Sequence, residues 1–270
     1  MQHQARKRFG QNFLHDRGVI QRIVDSVNAQ PDQHLVEIGP GQGAITTGLL
    51  ESAGALDVIE LDRDLVGPLA QRFAGTKIGI HNADALRFDL CALLSADEQG
   101  GPLAARLRLV GNLPYNISTP LLFRFLAQSR CIHDLHLMLQ KEVVDRITAD
   151  PGSKVFGRLS VMVQTYCSTE RLFVVAPGAF NPPPKVSSAV LRLIPYRALP
   201  VPITDPDWHA RLVSAAFAQR RKTLRNCLSG LMSAELISTL GIDPAARAET
   251  LSVADFVTLA NGSRACIGSK

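Results

Sequence analysis

Short apolar segments alternate with helix-forming segments through the first half of the chain. The pattern predicts strands over residues 35–39, 56–62, 77–81, 107–112 and 135–140. Helical sequence follows most of these segments, and Ser118, Thr119 and Pro120 mark the start of one helix, with an N-cap candidate before a proline. Strands that alternate with helices in this way are typical of a parallel sheet with helices on both faces.

The pattern changes in the last third of the chain. Residues 171–177 and 186–194 resemble closing strands on either side of the proline-rich segment "FNPPPKV". From Trp208 onward the periodicity is helical and no convincing strand remains. The predicted domains are residues 1–197, an α/β domain, and residues 198–270, a small helical domain.

Composition and charge restrict the function classes only a little. The chain has 270 residues, of which 46% are hydrophobic and 20% charged, the ordinary balance of a globular protein with a sizeable core. A net charge of +5 and a pI of about 9.1 permit a polyanionic partner without requiring one. No segment has the character of a secretory signal or approaches the roughly 18 apolar residues of a membrane helix.

The cysteines give little sign of a structural site. Their number, five, is odd, and no pair has CxxC spacing. We therefore expect neither a disulfide framework nor a metal site, and we expect a cytoplasmic location, where thiols stay reduced.

A glycine-rich turn follows the first predicted strand. "EIGPGQGAIT" places Gly39, Gly41 and Gly43 where a ligand can approach the backbone closely. An ordinary tight turn explains these glycines equally well when they are considered alone. Their spacing is GxGxG and differs from the GxGxxG dinucleotide fingerprint, so pyrophosphate binding is less favoured.

Two acidic residues follow the next two strands. Glu60 closes the second strand, where a carboxylate can accept hydrogen bonds from ribose hydroxyls. Asp84 follows the third strand and is a candidate acceptor for an adenine amino group. Each is more simply a solvated loop carboxylate when taken singly. Together with the glycine turn they mark three consecutive strand ends, which favours adenosine without a phosphate and therefore S-adenosylmethionine.

The segment "NLPY" at the end of the fourth strand combines an amide, a proline and a flat ring. The Asn112 oxygen and a backbone carbonyl of Leu113 or Pro114 could accept the two N–H bonds of an adenine N6 amine, and Tyr115 could stack on the base. Such acceptors would stabilise positive charge that develops on the nitrogen during methyl transfer. The alternative is a turn with an asparagine cap and a core tyrosine.

The order of several motifs resembles a known family. "RKRFGQNFL", "EIGPGQGAIT", "VIELD", "GNLPYNISTPLL", "AFNPPPKVSSAV" and "RRKTLRN" span almost the whole chain. The chain is similar to the ribosomal RNA adenine N6,N6-dimethyltransferases, and in particular to the bacterial small-subunit (16S) type linked to kasugamycin sensitivity. "NLPY" alone is also found in DNA and other adenine methyltransferases.

The resemblance implies a role for each matching residue. It implies that Asn12 and Leu14 contact the methionine end of the cofactor, and that Tyr115 and Phe180 hold a flipped adenine. The remaining implied contacts are Gly39 and Gly41 at the cofactor loop, Glu60 on the ribose, Asp84 near the adenine ring, and Asn112 on both cofactor and target amine. Ser187 stands where the family often has an acidic residue, so we assign it no role.

Two basic segments are candidates for RNA binding. The candidate residues are Arg6, Lys7, Arg8, Arg220, Arg221, Lys222 and Arg225. On a helix, Arg221 and Arg225 would share a face with Lys222 beside them. A solvated helix face is the usual explanation for such a run of charge.

These observations predict a class I S-adenosylmethionine-dependent methyltransferase fold, with a seven-stranded, mainly parallel sheet. The predicted reaction is dimethylation of two adjacent adenosines near the 3′ end of 16S rRNA. We expect the partner to be 16S rRNA within the small ribosomal subunit or its precursor, with no membrane, no metal and a monomeric protein. Alternatives are a DNA adenine methyltransferase, a ribosome assembly checkpoint factor with incidental catalysis, and an NAD-dependent oxidoreductase, which the GxGxG spacing disfavours.

Overall fold

The computed structural model describes residues 11–95 and 106–267. The candidate RNA-binding residues Arg6, Lys7 and Arg8 lie outside these ranges. None of the helices in the described ranges has the length and apolarity that a membrane crossing requires.

Nine strands occur in the described residues. They are β1 (Phe13–Leu14), β2 (Leu35–Ile38), β3 (Ala55–Glu60), β4 (Lys77–Asn82), β5 (Leu107–Asn112), β6 (Ile132–Gln140), β7 (Cys167–Val175), β8 (Phe180–Asn181) and β9 (Ser188–Pro195). The α-helices described are α1 (Arg17–Val27), α2 (Thr46–Ala53), α3 (Arg63–Arg72), α4 (Ser118–Leu126), α5 (Lys141–Ile147), α6 (Arg158–Gln164), α7 (Pro206–Ala216), α8 (Leu224–Cys227), α9 (Ala234–Thr239) and α10 (Val253–Ile267).

Seven of the strands form one sheet in the order β4-β3-β2-β5-β6-β9-β7. The pairs among β4, β3, β2, β5 and β6 are parallel, whereas β9 runs antiparallel to β6. The interior strand β2 is buried at all four positions, as expected for a strand covered on both faces. The predicted seven-stranded, mainly parallel sheet is confirmed.

A second, two-stranded sheet was not predicted. In it, β1 pairs antiparallel with β8, so that Phe13 lies opposite Asn181 and Leu14 opposite Phe180. Strands of two residues have no detectable hydrophobic period, because alternation needs several positions to appear.

One disulfide joins Cys91 and Cys131, so the expectation of reduced thiols is wrong for this pair. The two residues are 40 positions apart in sequence, but their Cα atoms are 5.5 Å apart. Cys91 lies in a short 3-10 helix beyond β4, and Cys131 lies just before β6. The pairing depends on tertiary proximity, which the spacing of cysteines along the chain does not reveal.

The chain divides into two compact units. The first contains the described residues up to Val144 together with Glu170–Pro195, and the second contains Asp145–Thr169 and the described residues from Tyr196 onward. The sequence assigned residues 145–169 to the first domain, whereas this division groups them with the helical part. The reason is a shared core, because Phe156 and Val161 are fully buried in one hydrophobic cluster with Leu212 and Phe256.

In the second unit, the basic residues 220–222 do not form the expected helix. Helix α7 ends at Ala216, and Arg220, Arg221 and Lys222 lie in a turn before α8. The Lys222 N–H donates to the Gln219 carbonyl at 2.9 Å, and Thr223 is extended with a ψ of 161°. The expectation that Arg221 and Arg225 share a helix face is therefore wrong, because the chain turns between them.

Candidate active site

The described part of the first unit contains a pocket at the carboxyl ends of the parallel strands. This is the edge at which open α/β sheets bind ligands. All four predicted motifs contribute residues to its lining. These residues are Asn12, Leu14, Gly39, Gly41, Glu60, Asp84, Asn112, Leu113, Pro114 and Tyr115. The structure therefore brings ten of the predicted site residues to one cavity.

The glycine turn lines one side of the pocket. Gly39 and Gly41 have φ values of +67° and +58°, a region that favours glycine. A Cβ built on Gly39 would have no heavy atom within 4 Å, so the space beside it is open to a ligand. A Cβ on Gly41 would lie 3.2 Å from ring atoms of Phe13, so that ring packs closely on the turn.

Glu60 is held by two backbone groups. The Gly41 N–H donates to its Oε2 at 3.1 Å, and the Asp62 N–H donates to its Oε1 at 2.8 Å. Burial is the main cause that raises the pKa of Glu60, against the lowering effect of these two hydrogen bonds. A carboxylate has about four acceptor positions, so Glu60 retains acceptor capacity for a ribose hydroxyl.

Asp84 lies in the loop after β4. Its Oδ1 accepts a hydrogen bond from the Leu86 N–H at 2.9 Å, which fixes the carboxylate relative to the loop. The neighbouring Ala83 and Ala85 also line the pocket.

Asn112 occupies the last position of β5 and lines the pocket. Its Nδ2 donates to the Asn12 carbonyl at 3.2 Å. Because the nitrogen end of the amide is used in this contact, its Oδ1 is the end available to accept a hydrogen bond from a ligand.

The backbone after Asn112 is also anchored. The Leu113 N–H donates to the Met138 carbonyl at 3.1 Å, and the Pro114 carbonyl accepts from the Ile117 N–H at 3.2 Å. A carbonyl oxygen has two lone pairs, so Pro114 retains one acceptor position. These two hydrogen bonds hold the backbone of the "NLPY" segment where it leaves β5.

The N-terminal described residues Gln11–Leu14 cross the pocket as a strap. The Gln11 Nε2 donates to Asp62 Oδ2 at 3.1 Å, and the Asn12 carbonyl accepts from Asn112. Phe13 packs on Gly41, and Leu14 pairs with Phe180. The strap thus joins the glycine turn, the "NLPY" segment and strand β8.

Phe180 is not among the residues that line this pocket. Its side chain is only 2% exposed and belongs to the hydrophobic core of the first unit. Its implied contact with a flipped base therefore stays a prediction.

Several pocket residues were missed by the sequence analysis. Glu37 lines the pocket from within the apolar strand β2, and its carboxylate accepts a hydrogen bond from the Thr46 hydroxyl at 2.6 Å. Burial, with a smaller contribution from the charge of Glu60, raises the pKa of Glu37 to about 7. An acid inside an otherwise apolar strand was the signal available. Gln11 and Asp62 carried no comparable signal.

The basic residues of the second unit differ in their contacts. The Arg220 guanidinium donates to the Lys154 carbonyl at 2.7 Å and forms an ion pair with Glu249 at 3.2 Å. Arg221, Lys222 and Arg225 are exposed. Arg220 is exposed as well, so it differs from the other three in that its guanidinium contacts Lys154 and Glu249.

Comparisons with known proteins agree over almost the full length of the chain. The family model described as "Ribosomal RNA adenine dimethylase" matches residues 2–263. A protein of Pseudomonas fluorescens called ribosomal RNA small subunit methyltransferase A is 55% identical over 261 residues, which cover 96% of this chain and 94% of the relative. A protein of the same name from Hydrogenovibrio crunogenus is 53% identical and covers 96% of each chain.

Solved structures support the same fold. A dimethyladenosine transferase from Plasmodium falciparum superimposes with a TM-score of 0.78 at 24% identity, covering 92% of this chain and 95% of its own. The 23S rRNA methyltransferase ErmE superimposes with a TM-score of 0.73 at 24% identity, covering 94% of this chain and all of its own. At these identities the likeness concerns the fold alone.

Proposed function

Because the chain belongs to the ribosomal RNA adenine dimethylase family, we propose that it dimethylates the N6 amines of two adjacent adenosines near the 3′ end of 16S rRNA. The methyl donor would be S-adenosylmethionine. The observation that carries the proposal is the meeting of Asn112 and Tyr115 with the glycine turn and Glu60 in one pocket.

The lining residues fit an adenosine cofactor without phosphate. Glu60 offers two acceptor oxygens to the ribose hydroxyls, and Asp84 lies at the next strand end to receive the adenine ring. The open space beside Gly39 admits the ligand close to the backbone. Asn12 and Leu14 in the strap would hold the methionine end.

When bound, S-adenosylmethionine supplies a methyl group on a positively charged sulfonium. The Asn112 Oδ1 would accept one N–H of the target amine, and the carbonyl of Leu113 or Pro114 would accept the other. These contacts orient the N6 lone pair and stabilise the positive charge that develops on the nitrogen. The charged amine then loses a proton to solvent without a strong base.

The target base must leave its stack to reach this pocket. Tyr115 would hold one face of the extruded adenine, a contact of about 1–3 kcal/mol. The second face is assigned to Phe180, whose buried position means that its ring must turn or the strand must shift when RNA binds.

The substrate would be the small ribosomal subunit or its precursor in the cytoplasm. Arg221, Lys222 and Arg225 would contact phosphates, as would Arg6, Lys7 and Arg8. The protein would act as a monomer.

Mass spectrometry of rRNA nucleosides tests the proposal. Immature small subunits incubated with the protein and S-adenosylmethionine should gain N6,N6-dimethyladenosine. Asn112→Ala should lower the rate by about 100-fold or more, because it removes a preorganised acceptor. Binding of S-adenosylhomocysteine, measured by calorimetry, should survive at least in part and serves as the control for folding.

Two results would contradict the proposal. Unchanged turnover of Asn112→Ala would remove the amide from the mechanism. Methylation of duplex DNA in preference to immature subunits would instead assign the chain to a DNA adenine methyltransferase.

A further inference from the structure

The Tyr115 hydroxyl is hydrogen-bonded to the hydroxyl of Ser188, with 2.6 Å between the two oxygens. Ser188 is the first residue of β9, pairs with Gln140 of β6, and is fully buried. The contact therefore joins the "NLPY" segment to a rigid strand 73 positions further along the chain.

The phenol is suited to keep this contact. Burial raises the pKa of Tyr115, and this outweighs the lowering effect of the Ser188 hydrogen bond. The phenol therefore stays protonated at neutral pH, and each of the two hydroxyls can donate to the other. Loss of either hydroxyl would leave its partner short of a hydrogen bond in a shielded position.

The backbone of Tyr115 is fixed independently. The Ser118 hydroxyl donates to the Tyr115 carbonyl at 3.2 Å, and the Ile117 N–H donates to the Pro114 carbonyl at 3.2 Å. The start of α4 thus holds the backbone carbonyl of Tyr115, and β9 holds its side-chain hydroxyl. A ring fixed at both ends offers a flat surface in one orientation before any base arrives.

We infer that Ser188 is a positioning residue, which holds the Tyr115 ring as a preorganised wall for the target adenine. This inference rests on the proposed function. The fixed Tyr115 ring matters most in the second methylation. The monomethylated amine has only one N–H left, so one hydrogen-bond acceptor fewer holds it in place. The ring then supplies a larger share of the alignment.

The test compares Ser188→Ala with Ser187→Ala, a neighbour whose backbone carbonyl accepts from the Lys141 N–H and whose side chain has no assigned role. Ser188→Ala should lower kcat for the second methylation by about tenfold, since small misplacements in a reacting complex are costly. N6-methyladenosine should accumulate in the nucleoside analysis, while the KM for S-adenosylmethionine should change little. Ser187→Ala should resemble the wild type.

A double-mutant cycle separates positioning from general damage. If Ser188 acts through the Tyr115 hydroxyl, then Tyr115→Phe, Ser188→Ala and the double variant should lower kcat by the same factor. Ser188→Thr, which keeps a hydroxyl, should restore part of the dimethylated product.

Additive effects in the cycle, or a wild-type ratio of mono- to dimethyladenosine in Ser188→Ala, would overturn the inference. After either result, the proposed function still stands if the wild-type enzyme makes N6,N6-dimethyladenosine. Failure of the wild type to methylate rRNA at all would instead remove the proposed function.

Discussion

At the scale of single residues, the pocket places a carboxyl group where its charge is poorly solvated. Glu37 is 2% exposed, and its partners are the Thr46 hydroxyl and the nearby charge of Glu60. Because burial penalises the ionised form, the pKa of Glu37 is raised from 4.5 to about 7. The folded protein therefore holds a proton on Glu37 at a pH where the unfolded chain does not.

This difference makes the stability of the protein depend on pH. A raised pKa contributes stability below about pH 4.5, and that contribution is lost as the pH rises through about 7. Relative to Glu37→Gln, whose side chain does not titrate, the wild-type free energy of unfolding should fall by roughly 3 kcal/mol across this window. Urea unfolding at several pH values between 4.5 and 8 measures it.

Exposed Glu51 in α2 provides the control. Glu51→Gln removes one carboxylate from an exposed surface and so controls for the loss of a negative charge. A difference in the free energy of unfolding between wild type and Glu37→Gln that stays constant with pH would contradict the raised pKa. It would show that Glu37 is ionised in the folded protein across this pH range.

Some residues of the site can be recognised from the sequence and others cannot. Asn112, Glu60 and Asp84 were predicted because they stand at strand ends, where a ligand site is expected, and all three line the pocket. Ser188 was missed because its partner Tyr115 is 73 positions away. Long-range pairing of two neutral hydroxyls leaves no pattern in a single sequence.

At the scale of elements, the strap and the glycine turn depend on each other. Gly41 combines a φ of +58° with close contact to the Phe13 ring, and its N–H donates to Glu60. A methyl group at this position would press on the ring and move the strap. The same strap supplies the carbonyl that orients Asn112.

Gly41→Ala should therefore weaken cofactor binding at least tenfold. Gly75→Ala is the matched control, because Gly75 has a φ of +82° but no heavy atom within 4 Å of a built Cβ and lies outside the pocket lining. Both variants should lose about 1–2 kcal/mol of stability from backbone strain. Calorimetric titration with S-adenosylhomocysteine distinguishes them, and equal affinities would disprove the coupling between turn and strap.

The principal elements were predictable from sequence because their periods are long enough to detect. Strands β2 to β6 appear within a few residues of their predicted bounds. The start of α4 is an exception in detail, since Ile117 occupies the cap position and the Ser118 hydroxyl bonds to Tyr115 instead. The strap, the two-stranded sheet and the Cys91–Cys131 pairing arise from tertiary contacts that local sequence does not encode.

At the scale of the whole molecule, a net charge of +5 is modest, so the location of the charge matters more than its total. In the second unit, Arg220 is engaged with Lys154 and Glu249, whereas Lys222 is exposed in the turn before α8. An exposed cation in a turn can approach a phosphate without breaking an internal contact. The proposed RNA contact is therefore stronger for Lys222 than for Arg220.

The salt dependence of RNA binding tests this assignment. The association constant K for RNA falls as salt rises. Each phosphate contact that is lost should reduce the steepness of log K against log salt by about 0.7–0.9. Lys222→Ala should show this reduction with immature small subunits, whereas Arg158→Ala, which removes one exposed positive charge from the start of α6 in the same unit, should not. Because both variants change the net charge equally, a common reduction would mean that binding responds to total charge, and the turn would lose its specific role.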